Sequence, residues 1–230
     1  MKISIIIPTY NEAANIAGLV KDLFRYAGDQ PVEVIVSDGG SKDATMEIAA
    51  QAGASVLKSP KPGRAAQMNY ASNFAHGDVL YFVHADVGIN PDYFKDIEQA
   101  VSEGFDAGCY RFRFDSNRAI LKINNYFTRF DRLMCRGGDQ TLFVTRKLFS
   151  QLNGFNEYYT IMEDYDIIIR IWKMARFKII PKEVIVSARK YENNSWLRVQ
   201  LANLTAFTMF YLKKEPASIA LKYKSMLDYR

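Results

Sequence analysis

The 230-residue sequence has only two cysteines, Cys109 and Cys135, with no CxxC spacing. At most one bridge can form, so a disulfide framework is excluded and a reducing compartment is favoured. Only two histidines, His76 and His84, are present, and no four-ligand Cys/His zinc cluster can be assembled from them. No stretch of ~20 uncharged apolar residues occurs, and the apolar run at residues 3–7 is too short for a signal peptide. These absences place the chain in the cytosol, with the inner face of the membrane as a candidate peripheral contact. The motifs GxGxxG, GxxxxGK[ST], GxSxG and HExxH are missing, which removes the usual marks of dinucleotide binding, P-loop hydrolysis, the hydrolase elbow and zincin chemistry. No Lys/Arg run exceeds two residues. The net charge of +5 therefore fits an anionic partner of modest size, and nucleic acid is not expected.

What is present is a globular composition, 49% hydrophobic and 24% charged, in a chain long enough for one large domain. The first hundred residues alternate two periodicities. Residues 3–7, 32–37, 54–57 and 79–83 read as strands; residues 13–26, 43–52 and 64–75 read as helices, and another starts at Pro91. Asn11 is a candidate cap for the first helix. Strand, helix and strand in repetition predict right-handed crossovers and an α/β fold with a mostly parallel central sheet flanked by helices. After residue 105 the pattern loosens. Residues 107–114 alternate as an edge strand would, 120–134 and 162–174 fit helices, and 140–144 and 184–187 fit short strands. Residues 196–212 form a helix apolar over more than one face, and the expected division is a main domain at 1–192 with a C-terminal helical extension at 193–230.

In an open parallel sheet, ligands sit beyond the carboxyl ends of the strands. The residues there include Thr9, Tyr10, Glu12, Asp38, His84 and Asp86, with a further acidic pair at Glu163 and Asp164. Several have a plain structural reading as well. Asp38 can cap the Gly39–Gly40 turn, Asn11 and Glu12 can cap a helix, and acids in a first turn complement the helix dipole.

Read together, Ile6-Ile7-Pro8-Thr9-Tyr10-Asn11-Glu12, Ser37-Asp38-Gly39-Gly40-Ser41-Lys42-Asp43, Gly63-Arg64-Ala65-Ala66-Gln67-Met68-Asn69, His84-Ala85-Asp86 and Met162-Glu163-Asp164 resemble the family 2 glycosyltransferases. The resemblance runs from residue 3 to about residue 192 and implies a GT-A fold. The Gly63–Asn69 segment and Ser187-Ala188-Arg189-Lys190 resemble a bacterial subgroup of that family.

The resemblance implies an inverting transfer of a sugar from a nucleotide-diphosphate donor, UDP-linked by preference, to a hydroxyl acceptor. Nucleotide contacts fall on Pro8, Thr9, Tyr10, Glu12, Asp38, Arg64, Asn69, His84 and Ala85. Asp38 is suited to the N3–H of a uracil ring, although guanine also offers donors. Asp86 is the implied ligand of Mn²⁺ or Mg²⁺; His84 replaces the first acid of the family's usual Asp-x-Asp, which leaves strict metal dependence open. Asp164 is the implied general base, and Glu163 holds the acceptor or tunes Asp164. Arg189 and Lys190 are candidates for the diphosphate, and Asp139 and Gln140 for the acceptor cleft. The C-terminal helices are candidates for a membrane contact or for pairing with a second copy. The rival readings are a sugar-1-phosphate nucleotidyltransferase, whose Gly-rich, Arg-containing loop is not found at residues 8–11, and a non-catalytic scaffold that binds nucleotide sugars.

Overall fold

The computed structural model describes residues 1–137 and 140–228. The chain begins β1 (Ile3–Thr9), α1 (Ile16–Ala27), β2 (Val32–Asp38), α2 (Thr45–Gln51), β3 (Ser55–Lys58), α3 (Arg64–Ser72) and β4 (Val79–Phe82). It continues through β5 (Val87–Gly88), α4 (Tyr93–Ser102), β6 (Ala107–Phe114), α5 (Leu121–Phe127), β7 (Leu142–Thr145) and α6 (Arg146–Gln151). It ends with α7 (Glu163–Met174), β8 (Phe177–Val186), α8 (Lys190–Asn193), α9 (Trp196–Tyr211) and α10 (Pro216–Met226). All strands join one eight-stranded sheet in the order β3-β2-β1-β4-β7-β6-β8-β5. Pairing is parallel from β3 to β4 and between β6 and β8, and antiparallel where β7 and β5 enter.

The isoleucine run of β1 explains the layering. Successive strand side chains point to opposite faces, so Ile3, Ile5 and Ile7 pack with Ile16, Val20 and Leu23 of α1 and Tyr93 and Ile97 of α4. Ile6 points the other way, into a second cluster with Met68 of α3, Phe149 of α6 and Ile168 of α7. A strand covered on both faces has no polar alternation to show, hence the continuous run. Two tyrosines inside the first layer find partners for their hydroxyls: Tyr93 donates to Leu23 O at 2.9 Å and Tyr110 to Asp96 Oδ2 at 2.9 Å.

Four expectations need correction. β6 is interior, between β7 and β8; β7 covers only Ala107 and Gly108, so the alternating half of β6 belongs to the stretch that β7 has left. β8 begins at Phe177, well before residue 184, and Pro181 falls where the β6–β8 register shifts, a place that requires no ladder N–H. The helix expected over 120–134 stops at Phe127. Asn11 does not cap α1, whose N-cap is Asn15; it takes φ 55° and its Oδ1 accepts from Lys42 N instead. Among the described residues no helix is long and apolar enough to cross a membrane.

Glu33 fastens the end of the sheet opposite the strand-end loops. It accepts from Ser4 Oγ at 2.5 Å, Lys2 Nζ at 3.1 Å and His76 N at 2.6 Å. Burial pushes its carboxyl up, but these donors outweigh burial and hold it at about 2, against 4.5 ordinarily. Because the folded value is depressed, the contribution is complete above the unfolded value and fades as pH falls towards the folded one. Glu33→Gln is therefore expected to cost about 1–3 kcal/mol at neutral pH and progressively less in acid. Urea titrations across that range, giving the same deficit at every pH, would refute the linkage.

Candidate active site

The order in which strands are added reverses at β1: β2 and β3 lie on one side and β4 on the other. The crevice beyond the carboxyl ends of β1 and β4 is thus the topological switch point of the sheet. Its first wall is two strand-end loops laced together. Asn11 N donates to Ser41 Oγ at 2.8 Å, Glu12 N to Thr45 Oγ1 at 2.8 Å and Ala13 N to Asp43 Oδ2 at 3.2 Å.

Asp38 is fully buried at the root of this wall. Its carboxylate accepts from Gly40 N and Ser41 N, each at 2.8 Å, from Thr9 Oγ1 at 3.1 Å and from the Ser41 hydroxyl. It therefore caps the turn, which is tight because Gly40 adopts φ 97°. Behind it the buried Gln67 amide donates to Thr9 O and Ser37 O, both at 2.7 Å, tying the last residues of β1 and β2. A Cβ on Gly39 would meet Gln67 Oε1 at 2.9 Å, so a side chain there would displace the Gln67 amide.

The acids meet at two guanidinium groups. Arg189 Nη2 lies 3.0 Å from Asp86 Oδ2 and 3.4 Å from Glu12 Oε1, bridging the loops after β1 and β4. Arg64 Nε, at the start of α3, lies 2.7 Å from Glu163 Oε1. Glu163 is 1% exposed; burial raises its pKa, Arg64 lowers it and the neighbouring Asp164 raises it. The turn before the pair is strained, with Met162 at φ 72°. Met162 is held by Ala206 of α9 and Ile219 of α10, so the C-terminal helices support the acidic turn. His84 and Asp164 line one narrow pocket with Gly137, Thr141 and Phe155.

Among the expected residues, Thr9 pairs with Asp38, Glu12 and Asp86 share Arg189, Arg64 pairs with Glu163, and His84 and Asp164 line one pocket. Pro8 and Ala85 are buried beside them and Tyr10 is exposed at the rim. Asn69 turns elsewhere: its amide donates to Phe155 O at 2.9 Å and accepts from Phe155 N at 2.8 Å, clamping the loop before α7. Lys190 points to α10, where its Nζ meets Tyr223 Oη at 3.0 Å. Gln140 is buried, with no partner for its amide among the described residues. Asp139 lies outside the described residues. Gln67 was not expected at the site, although its place in the Gly63–Asn69 segment could have signalled it.

Two carboxylates converging on one nitrogen form a hard-oxygen set of the kind Mg²⁺ or Mn²⁺ accepts, with phosphate and water completing the shell. No group of three or more His, Cys, Asp or Glu converges to hold a metal among the described residues. Residues 4–179 match the profile described as Glycosyl transferase family 2. The chain belongs to that family.

Its relatives include an uncharacterized glycosyltransferase from Rickettsia felis, 35% identical over 97 residues, which are 42% of this chain and 33% of that protein. The chain thus spans about a third of that relative's length. Among solved structures, S. aureus TarS 1-349 in complex with UDP-GlcNAc is 19% identical with a TM-score of 0.68, over 96% of this chain and 69% of that one. PcManGT from Pyrobaculum calidifontis, a mannosyltransferase in complex with GDP-Man and Mn²⁺, is 20% identical with a TM-score of 0.70, over 97% and 69%. At these identities the likeness concerns the fold, a GT-A arrangement with a curled, mostly parallel sheet. Family membership takes the place of the nucleotidyltransferase alternative.

Gln67→Leu keeps the volume but strips both strand-end carbonyls of their donor, so a loss of about 1–3 kcal/mol is expected. An unaltered melting curve would contradict the tie. For Glu163 the sign is opposite to that of Glu33. A folded value raised above 4.5 makes the folded chain bind the extra proton, so stability falls as pH climbs from the unfolded to the folded value. Glu163→Gln should flatten that part of a Tm-against-pH profile; an equally steep slope in the variant rules the assignment out.

Proposed function

We propose that this family 2 chain is an inverting glycosyltransferase that takes a sugar from a nucleoside-diphosphate donor, UDP-linked by preference, to a hydroxyl acceptor. The observation that carries the reading is the convergence of Glu12 and Asp86 on Arg189 in the β1–β4 crevice, beside the pocket that His84 and Asp164 line.

The base sits against the Asp38 turn. Ser41 is half-buried, and a change of its rotamer withdraws its hydroxyl from Asp38 Oδ2 and opens that oxygen to a ring N–H. The donor diphosphate lies between the loops after β1 and β4. Asp86, with Glu12 adjacent, would hold Mn²⁺ or Mg²⁺ there. When bound, the ion neutralises the departing diphosphate as a Lewis acid. Arg189 must leave its two carboxylates for this to occur, and a guanidinium so displaced is at hand for the phosphate oxygens.

Asp164 takes the proton of the acceptor hydroxyl as that oxygen forms its bond to the anomeric carbon. The bond from that carbon to the diphosphate oxygen breaks on the opposite face, the electron pair leaves with the nucleoside diphosphate, and configuration inverts. Glu163 positions Arg64, and Asn69 positions the loop carrying Phe155 through the two hydrogen bonds described above. Neither touches the reacting atoms.

Asp164→Asn should reduce transfer by about 10²–10⁴-fold while donor binding, followed by thermal shift, stays within a factor of two or so. Loss of binding instead would sink the base assignment. Asp86→Ala should remove the Mn²⁺-dependent part of donor binding, and a metal titration like that of the parent chain contradicts the ligand role. Across a panel of donors, UDP-sugars should protect more than GDP-sugars; the reverse order overturns the uridine preference.

A further inference from the structure

Away from the crevice, the chain between β6 and β7 exposes a run of large apolar side chains. Ile120, Ile123, Tyr126, Phe127, Phe130 and Met134 are 41–66% exposed. The rings pack on one another rather than into the core: Tyr126 and Phe127 each meet Phe130, at 5.6 and 6.0 Å between centroids. The cations Arg118, Lys122, Arg129 and Arg132 are interleaved with them, against the single acid Asp131 in residues 118–134. The Arg129 guanidinium lies 4.0 Å over the Tyr126 ring.

This face continues onto α9. Trp196 Nε1 donates to Asn124 Oδ1 at 2.7 Å, setting the first turn of α9 against α5. On α9, Val199, Ala202 and Ala206 are buried, whereas Leu197, Leu201 and Leu204 recur at helical spacing on the exposed side. No Asp or Glu occurs from residue 193 to 214, and Lys213 and Lys214 follow the helix.

We infer that this basic aromatic face docks on an anionic phospholipid surface. Rings and aliphatic tips enter the headgroup boundary, while the arginine and lysine stems extend to lipid phosphates. Charge selects this occupant over a second copy of the chain. A two-fold interface places each patch against itself, and here that would oppose four cations to four with one acid on each side. An anionic bilayer supplies the missing negative charge, each Lys or Arg near it adding attraction. At its far end the same chain segment reaches Gly137, which lines the pocket beside Asp164. Docking would thus hold this pocket near the lipid. The inference does not depend on the glycosyl-transfer reading.

The test is co-sedimentation of the full chain with phosphatidylcholine vesicles, with and without a phosphatidylglycerol fraction. Binding is expected only with the anionic lipid and should fall as salt rises. Lys122→Gln with Arg129→Gln should weaken partitioning by roughly 25-fold. Phe127→Ser with Phe130→Ser should weaken it at unchanged salt dependence. Circular dichroism melts matching the parent chain would show that both variants fold. Absence of binding to anionic vesicles at low salt overturns the inference, as does binding that neither variant alters. Sedimentation velocity provides the remaining outcome: a dimer dissolved by the Phe127/Phe130 substitutions, without vesicle binding, would assign the face to a second copy.

Discussion

A single guanidinium group spans the central crevice. Arg189, from the loop after the long strand β8, touches carboxylates carried by the loops after β1 and β4. Without a cation between them, Glu12 and Asp86 would repel each other on loops that the β1–β4 pairing holds side by side. Arg64 pairs with Glu163 at the head of α7, where burial works against the ionised carboxylate and the guanidinium supports it. The crevice is therefore a concentration of negative charge held together by two arginines.

The scaffold around that crevice is stiff where it has to be. β1 is covered on both faces, and its last residues are tied to β2 by the Gln67 amide and the Asp38 turn. On the other side, the strained Met162 backbone is kept in place by side chains from α9 and α10. The C-terminal helices consequently reach the acidic turn, and one face of α9 packs in the main core through Val199 and Ala202. Its other face carries the leucines that extend the apolar surface begun by α5. One helix thus connects the interior near the acidic turn with the exposed face that we assign to lipid.

Much of the first half was readable from residue pattern, because its strands are short apolar runs ended by Pro, Gly or Asp and its helices have one clear apolar side. The second half was harder. β6 alternates only where β7 no longer covers it, so it imitates an edge strand. β8 hides behind Lys178 and behind Pro181 and Lys182, the last two of which fall at a register shift. At the site, residue type indicated which side chains carry chemistry but not their direction. Asn69 lies in the same segment as Gln67, yet one amide clamps the loop at Phe155 and the other the ends of β1 and β2.

By itself the sequence determined the alternation of elements, the strand ends at which charge collects and the family to which the chain belongs, because these depend on local periodicity and on motifs read in order. Only the tertiary structure decided which acids share a cation, that Asp38 is closed by its own turn, that Lys190 faces α10, and that aromatic side chains after β6 remain outside the core. Those outcomes depend on contacts between residues far apart in the chain, such as Glu12 with Arg189, and pattern along the chain carries no information about distance across it.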